Sequence, residues 1–415
     1  MTNKTIHIIG GGTISHVRTH LALCAPAYGS TARKLVELCR DRFGETMDIK
    51  LHLTKMANPK SNLETWEDLK NLTSEIMADS RSKMVFYNPA VVDFFGVIDD
   101  VNSGKHAKRL NSKENHTMTL GALPKLISKI RNDKINGIVR KDILLIGFKA
   151  TCGALPQEQY LAGLNMLKAT GCNLVLANDV ESHVNMIIVP EEARYHETTN
   201  REEALKNLVD MAYYRSHLTF TRSTVVDGQP VPWDSELVPT SLRKIVDYCI
   251  FRGAYKRVRG VTAGHFAVRV NDQTFLSSVR KTDFNDMKNT GLVMVKTDGP
   301  DSMIAYGRKP SVGGQSQRII FSEHAGYDCI VHFHCPKKEL SLVPTVSQRE
   351  FECGSHECGK NTSNGLKRFG SLSAVYLDSH GPNIVFNRSI NPQEVIDFID
   401  ANFDLSEKTG GYKIE

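Results

Sequence analysis

The chain has 415 residues, 40% hydrophobic, 24% charged and 7% aromatic, the composition of an ordinary globular protein with room for two hydrophobic cores. Its formal net charge of +6 suits phosphorylated or nucleotide ligands but is too evenly spread to argue for nucleic acid. No apolar run reaches the roughly 18–20 residues of a membrane helix, and the nine scattered cysteines read as reduced cytoplasmic thiols rather than a disulfide framework.

Residues 5–9 form a short apolar strand that opens directly into Gly10, Gly11, Gly12 and Thr13, so no signal peptide is expected. A strand feeding a glycine cluster ahead of a helix brings backbone N–H groups against a phosphate. The helix, over 30–39, has apolar residues at helical spacing and stops near Gly44. Alternation makes 48–53 the next strand. Ser61 and Glu64 form a capping box ahead of a helix with Trp66, Leu69, Leu72 and Ile76 on one face. Buried strands follow at 84–87, 141–147 and 173–177. Strands alternating with amphipathic helices predict an α/β domain with a doubly wound parallel sheet, Rossmann-like, whose ligands collect at the carboxyl ends of the strands. Those ends carry the glycine cluster, then Ala90 with Asp93, Gly147 with Phe148, and Asn178 with Asp179.

Over about residues 4–214 these stretches, in this order, resemble phosphopantothenoylcysteine synthetase, a nucleotide-using ligase of the DNA/pantothenate metabolism flavoprotein family. Gly11, Gly12 and Thr13 open the match, and Ala90, Asp93 and Phe94 fall on its Ala-Val-x-Asp-Phe/Tyr position. Lys105, Lys108 and Arg109 fall on a lysine-rich triphosphate loop, Gly147 and Phe148 on a Gly-Phe-x-Ala turn, and Asn178 and Asp179 on Ala-Asn-Asp-Val. The resemblance implies CTP or ATP as the nucleotide. Asp93, Ala90 and Phe148 would then hold base and ribose, and Lys105 or Lys108 the phosphates. The chain departs from the family at 23–31, which lacks the usual asparagine.

Residues 216–240, with Asp227, Gly228, Pro230, Pro232 and Pro239, carry turn and linker chemistry. The expected organisation is a first domain over 1–215, a linker over 216–240, a second domain over 241–405 and a loose tail over 406–415. The second domain opens on a helix with Leu242, Ile245, Val246 and Cys249 on one side and closes on a capped helix over 391–402.

Within the second domain, 328–336 reads as a buried strand. Side chains on a strand alternate, so His332 and His334 share a face while Phe333 points into packing. Two such imidazoles reach one Zn²⁺ at about 2.0–2.1 Å. A third candidate, His380, ends another apolar strand and is followed by Gly381. Three histidines leave the fourth zinc position open, as catalytic sites do.

From about residue 240 to 403 the order of motifs resembles the class II aldolase/adducin family, an α/β fold with a central, largely antiparallel sheet. Gly264 and His265 lie in its early glycine loop, Ser277 and Ser278 in a second phosphate loop, and Ser311 in a third; His332, His334, a turn at 352–355, and His380 follow. The resemblance implies Zn²⁺ or another divalent metal on the three histidines, an enediolate made from a sugar-phosphate-like substrate, and a homo-oligomer, dimer or tetramer. Here too the chain departs from the family. His265 stands for the usual asparagine, Ala267 for a serine, and Val312 and Gly313 for a serine and the glutamate that moves the proton. Gln315, Gln317, Glu323 or an acid from another subunit would have to replace that glutamate.

Together the halves imply a bifunctional metabolic enzyme, coupling nucleotide-dependent, ligase-like activation to aldolase-, epimerase- or dehydratase-type chemistry. Its partners would be a phosphorylated small molecule and a nucleotide, with neither nucleic acid nor membrane. The alternatives are a non-catalytic, adducin-like binding or assembly protein, or an enzyme with one active domain.

Overall fold

The structure, a computed structural model, describes residues 4–409 apart from 100, 102, 136, 256 and 259, together with 412–413. The chain divides into two compact units: Met1–Pro190 with His196–Ser216, and Glu191–Tyr195 with His217–Glu415. The short Glu191–Tyr195 segment thus belongs with the second unit although its flanks belong to the first. Among the described residues no helix is long and apolar enough to cross a membrane.

The sheet of the first unit contains β1 (Lys4–Gly12), β2 (Met47–Leu53), β3 (Ser82–Ala90), β4 (Leu144–Thr151), β5 (Leu174–Asp179), β6 (Asn185–Ile188) and β7 (Arg194–Thr198), in the order β7-β6-β5-β4-β3-β1-β2. The ladders from β2 through β5 are parallel, and β6 joins β5 antiparallel. Successive residues of β1 (Ile8, Ile9) and of β5 (Leu174, Val175, Leu176, Ala177) are fully buried. Only a sheet covered on both faces buries neighbouring side chains that point opposite ways. Helix α1 (Ser30–Phe43) packs on β1 and β2, while α3 (Pro156–Thr170) packs on β4, β5 and β6; α2 (Trp66–Ala78) and α4 (Arg201–Ser216) complete the alternation.

Two local expectations shift. The capping box of α2 is made by Thr65 and Asp68, not by Ser61 and Glu64: Asp68 N donates to Thr65 Oγ1 at 3.3 Å and Thr65 N to Asp68 Oδ2 at 2.8 Å. Glu64 instead accepts from Lys105 Nζ at 2.9 Å. The Gly147–Phe148 turn is also absent, because β4 stays paired with β5 from Ile146 through Thr151.

The second unit is built on β8 (Arg222–Val226), β9 (His265–Asn271), β10 (Thr274–Ser278), β11 (Leu292–Thr297), β12 (Ser302–Tyr306), β13 (Cys329–His332), β14 (Thr345–Val346), β15 (Lys367–Phe369), β16 (Leu372–Leu377) and β17 (Gly381–Phe386). Their order is β8-β12-β11-β10-β9-β13-β17-β16-β14, with β15 on β16. The central ladders are antiparallel; only β8–β12 and β14–β16, at the edges, are parallel. Strand β8 lies inside the stretch expected as a linker. Residues 406–409 are likewise no loose tail, since Lys408 and Thr409 are buried and Glu407–Lys408 pairs with Tyr412–Lys413. Helices α5 (Thr240–Phe251), α6 (Gly314–Glu323), α7 (His356–Gly365) and α8 (Pro392–Asn402) belong to the same unit, as does a single helical turn at Met287–Thr290. A core of Phe266, Tyr255, Phe333, Phe386 and Phe403 sits where α5 and α8 meet the sheet.

Candidate metal centre

The centre is made by β13 and its two neighbours. Strand β13 ends at His332, earlier than the pattern suggested, with His332 opposite His265 of β9 and Asn383 of β17. Alternation nevertheless carries past the strand end. Phe333 is fully buried and packs edge-on against Tyr255 and Phe403, at ring separations of 6.5 and 5.8 Å. That anchor returns His334 to the face of His332. His380 comes from the turn between β16 and β17, where Gly381 lets two backbones approach: a Cβ there would stand 2.1 Å from Phe333 O.

His380 Nε2 lies 3.3 Å from His332 Nε2 and 3.1 Å from His334 Nε2, and all three rings are buried. These are the residues among those described whose ligand atoms cluster closely enough for one cation. Outer partners orient two of the rings. His332 Nδ1 donates to Pro382 O at 2.7 Å, and His334 Nδ1 faces Glu192 Oε2 at 3.4 Å. Each Nδ1 so engaged leaves an Nε2 lone pair pointing inward, the arrangement metal-binding histidines use. Burial, reinforced by His380, holds His332 well below the ordinary histidine range, so its imidazole is neutral. Three buried, convergent imidazole donors fit a borderline divalent ion such as zinc.

A second ring of contacts involves residues that the sequence pattern did not single out. Glu192, 4% exposed and at a φ of 64°, is ion-paired with the buried Lys408. Glu191 Oε1 accepts from Cys353 N at 2.7 Å, and Tyr195 OH donates to Asp378 O at 2.9 Å. Thr409 donates twice, from N to His334 O at 3.2 Å and from Oγ1 to His380 O at 2.7 Å. The Glu191–Tyr195 segment and the C-terminal turn therefore clasp the metal-site loops.

The other expected residues of this unit fall into two groups. His265, buried, stacks 4.7 Å from the His332 ring and accepts from Gln317 Nε2 at 2.9 Å; burial pushes it down to about 3. Gly264 packs on the same strand, where a Cβ would be 2.5 Å from His332 O. Ser278 and Ser311 come together through Ser311 N and Ser278 O at 2.9 Å, while the Ser277 hydroxyl is fully buried and donates to Ser278 O at 3.3 Å. Gln315 and Glu323 face elsewhere. Gln315 contacts Asp301, Arg318 and His356, and Glu323 pairs with Lys360 and accepts from Ser363 Oγ at 2.6 Å. Gln317, not Gln315, is the α6 amide that reaches the histidines.

In the first unit, packing explains several of the nucleotide-site candidates. A Cβ on Gly10 would lie 2.4 Å from Ala32 Cβ, and one on Gly12 would lie 2.0 Å from Ala25 O. Gly11 has a φ of 99° and its Cβ would meet Thr54 Oγ1 at 2.2 Å. Thr13 is buried and its Oγ1 accepts from Val92 N at 2.8 Å, tying β1 to the Ala90–Asp93 turn. Asp93 is ion-paired with Lys125, and Phe94 is exposed on a hairpin strand. Lys105 pairs with Glu64 and Lys108 is exposed. Gly147 and Phe148 lie within β4, with Asn178 across the ladder from Ala150. The Asp179 carboxylate accepts from Ser182 N at 2.9 Å, Thr151 Oγ1 at 2.9 Å, and Ala154 N at 3.1 Å, which holds it well below the usual carboxylate range. These bonds fix the turn after β5.

No curated protein matches the chain. Among solved structures, the DNA/pantothenate metabolism flavoprotein from Streptococcus pneumoniae is similar at 19% identity, over 50% of this chain and 97% of its own, with a TM-score of 0.41. The C-terminal domain of the coenzyme A biosynthesis bifunctional protein CoaBC is similar at 13% identity, over 51% of this chain and 95% of its own, with a TM-score of 0.38. L-fuculose 1-phosphate aldolase is similar at 17% identity, over 39% of this chain and 82% of its own, with a TM-score of 0.30. Residues 243–389, which carry all three clustered histidines, match the family model of the class II aldolase and adducin N-terminal domain.

Proposed function

We propose that the second unit is a metal-dependent lyase or isomerase that stabilises an enediolate-like oxyanion of a phosphorylated, sugar-like substrate in aldol, epimerisation or dehydration chemistry. The observation that carries this reading is the convergence of the His332, His334 and His380 Nε2 atoms, with separations of 3.1 and 3.3 Å from His380 to the other two. A divalent ion held there, zinc or another, supplies a Lewis acid for substrate oxygens. In this reading burial holds His332 neutral, and Pro382 O and Glu192 orient the rings of His332 and His334. By this reading the half-buried Gly264 and Ser311 would meet the phosphate, with the buried His265 and Ser278 packed behind them.

By the same proposal the first unit binds CTP or ATP for ligase-like activation, with Lys105 and Lys108 as cations for the phosphates, and one unit's product is the other's substrate. The protein works as a homo-oligomer.

Metal content tests the central claim. The purified wild type should hold a divalent ion near one per chain, and His332→Ala and His380→Ala should lose it. A wild type without metal, even after supplementation, would overturn the reading and favour a non-catalytic binding protein. Nucleotide affinity unchanged in Lys105→Ala and Lys108→Ala would remove the phosphate role from those lysines.

A further inference from the structure

Two guanidinium groups of the second unit share a cleft, and no carboxylate is bonded to either. Arg269 of β9 and Arg318 of α6 line a space of about 100 Å³, floored by the buried rings of Phe275 and Phe321 and edged by Thr274 and Thr297. The place is separate from the metal centre. Strand β9 carries His265 and Arg269 on one face, four residues and about 13 Å apart along the strand. Helix α6 spans the interval: Gln317 reaches His265 at 2.9 Å, and the Phe321 ring centre lies 5.5 Å from the Arg269 guanidinium carbon.

Neither arginine is neutralised by the protein. Arg269 Nη2 donates to His324 O at 3.1 Å and Tyr327 O at 2.8 Å, while its Nε is buried and has no hydrogen-bond partner. Arg318 donates from Nε to Gln315 Oε1 at 3.0 Å, and its two Nη groups make no hydrogen bond among the described residues. Both side chains are half-buried, and burial lowers Arg318 from the ordinary arginine range. Nearby acids are engaged with other cations: Glu323 with Lys360, Asp301 with His356 and Asp328 with Arg388. The one carboxylate lining the cleft is Asp272, exposed at the tip of the β9–β10 hairpin. The lining therefore carries two positive charges against one negative, although charges withdrawn from water are ordinarily matched.

We infer that this cleft binds a small oxyanion, inorganic phosphate or an ion of its size and charge, between Arg269 and Arg318. A guanidinium fork matches a pair of oxyanion oxygens, and the hydroxyls of Thr274, Thr297 and Ser322 add neutral donors. The space is well below the roughly 300–1,000 Å³ of pockets that enclose larger ligands, which selects the ion over a nucleotide. The site stands whether or not the histidines hold a metal.

Calorimetric titration of the full chain with inorganic phosphate, in phosphate-free buffer, tests the cleft. The wild type should bind one ion per chain in a component that Arg318→Gln weakens at least about tenfold, as losing a hydrogen bond to a charged group does. Arg318→Lys should fall between them, because it keeps the charge and loses the fork. Arg318→Gln should keep the wild-type urea midpoint in phosphate-free buffer, and Arg318→Lys carries the test where it does not. Lys105→Ala and Ser311→Ala, at the phosphate positions proposed for the two units, should leave the component unchanged. A wild type that binds no phosphate at millimolar concentration would overturn the site. So would a component that survives in both Arg318→Gln and Arg269→Gln, or one that is lost in Lys105→Ala or Ser311→Ala.

Discussion

The imidazole of His265 fills the space into which any side chain at Gly313 would project: a Cβ at 313 would stand 2.2 Å from His265 Cδ2 and 2.3 Å from its Nε2. Gln317, one turn along α6, holds that ring by donating to Nδ1 at 2.9 Å. By resemblance to the class II aldolases, an asparagine belongs at 265 and a glutamate at 313. The two departures are therefore one steric exchange: a large ring on β9 against an empty position at the start of α6.

That exchange predicts a coupled pair. Gly313→Ala should destabilise the second unit by about 1–3 kcal/mol, as overpacking of a tight interior does. In a His265→Ala background the same change should cost much less, because the ring is gone. Urea unfolding of the four proteins measures the coupling, and equal costs in both backgrounds would remove the exchange.

Glu192 yields a prediction about the metal rather than the fold. Its carboxylate lies between His334 Nδ1, at 3.4 Å, and the buried Lys408. Outer-shell carboxylates orient a ligating imidazole, and losing one weakens metal binding about 10–100-fold. Glu192→Gln should lower zinc affinity by that factor in a chelator competition while the circular dichroism stays that of the wild type. Unchanged affinity would reduce the carboxylate to a structural ion pair.

Which parts of this arrangement the sequence revealed has a physical explanation. Strands β1, β4 and β5 were legible because burial on both faces leaves unbroken apolar runs, and the histidine pair was legible because a strand has a period of two. Glu192 was not, since it lies 142 positions from His334 on a turn between two strands of the first sheet. Strand β8 was hidden among the proline and glycine signals around it. At α2 the expected Ser61/Glu64 cap gives way to Thr65/Asp68, with Glu64 drawn instead into a tertiary contact with Lys105. Gly10, Gly11 and Gly12 read as a phosphate cradle, yet tight packing against Ala32, Thr54 and Ala25 already requires glycine at all three.

The first unit carries a pH dependence that starts at β1. His7, 4% exposed, is hydrogen-bonded to Ser82 Oγ at 2.9 Å and to His52 Nε2 at 3.0 Å. Burial, with the His52 and Lys50 charges adding to it, lowers His7 to about 4 from 6.5, and burial lowers His52 as well. The unfolded chain therefore takes up protons that the fold refuses. The stability from His7 is complete above pH 6.5 and is lost as pH falls toward 4. In the intact chain, the wild-type unfolding midpoint should drop over that window more steeply than that of His7→Gln. Parallel pH profiles would contradict the assignment.

Gly381 offers the sharpest test of how the fold brings His380 to its partners. With a φ of 150°, it would place a Cβ 2.1 Å from Phe333 O, 3.1 Å from Phe333 C and 3.3 Å from His334 Cα. All three are backbone atoms, which cannot rotate aside as a side chain does, so Gly381→Ala must push the β16–β17 turn away from the His332–His334 segment. Both stability and metal affinity should fall, the former by more than the roughly 1 kcal/mol that a strained glycine position costs by itself. Gly44, at a φ of 53° with nothing within 4 Å of its Cβ, separates strain from displacement. Gly44→Ala should lower stability and leave zinc affinity unchanged. If Gly381→Ala also keeps wild-type zinc affinity, the close backbone approach is not what positions His380, and the Thr409 hydroxyl, donating to His380 O at 2.7 Å, becomes the contact that holds it.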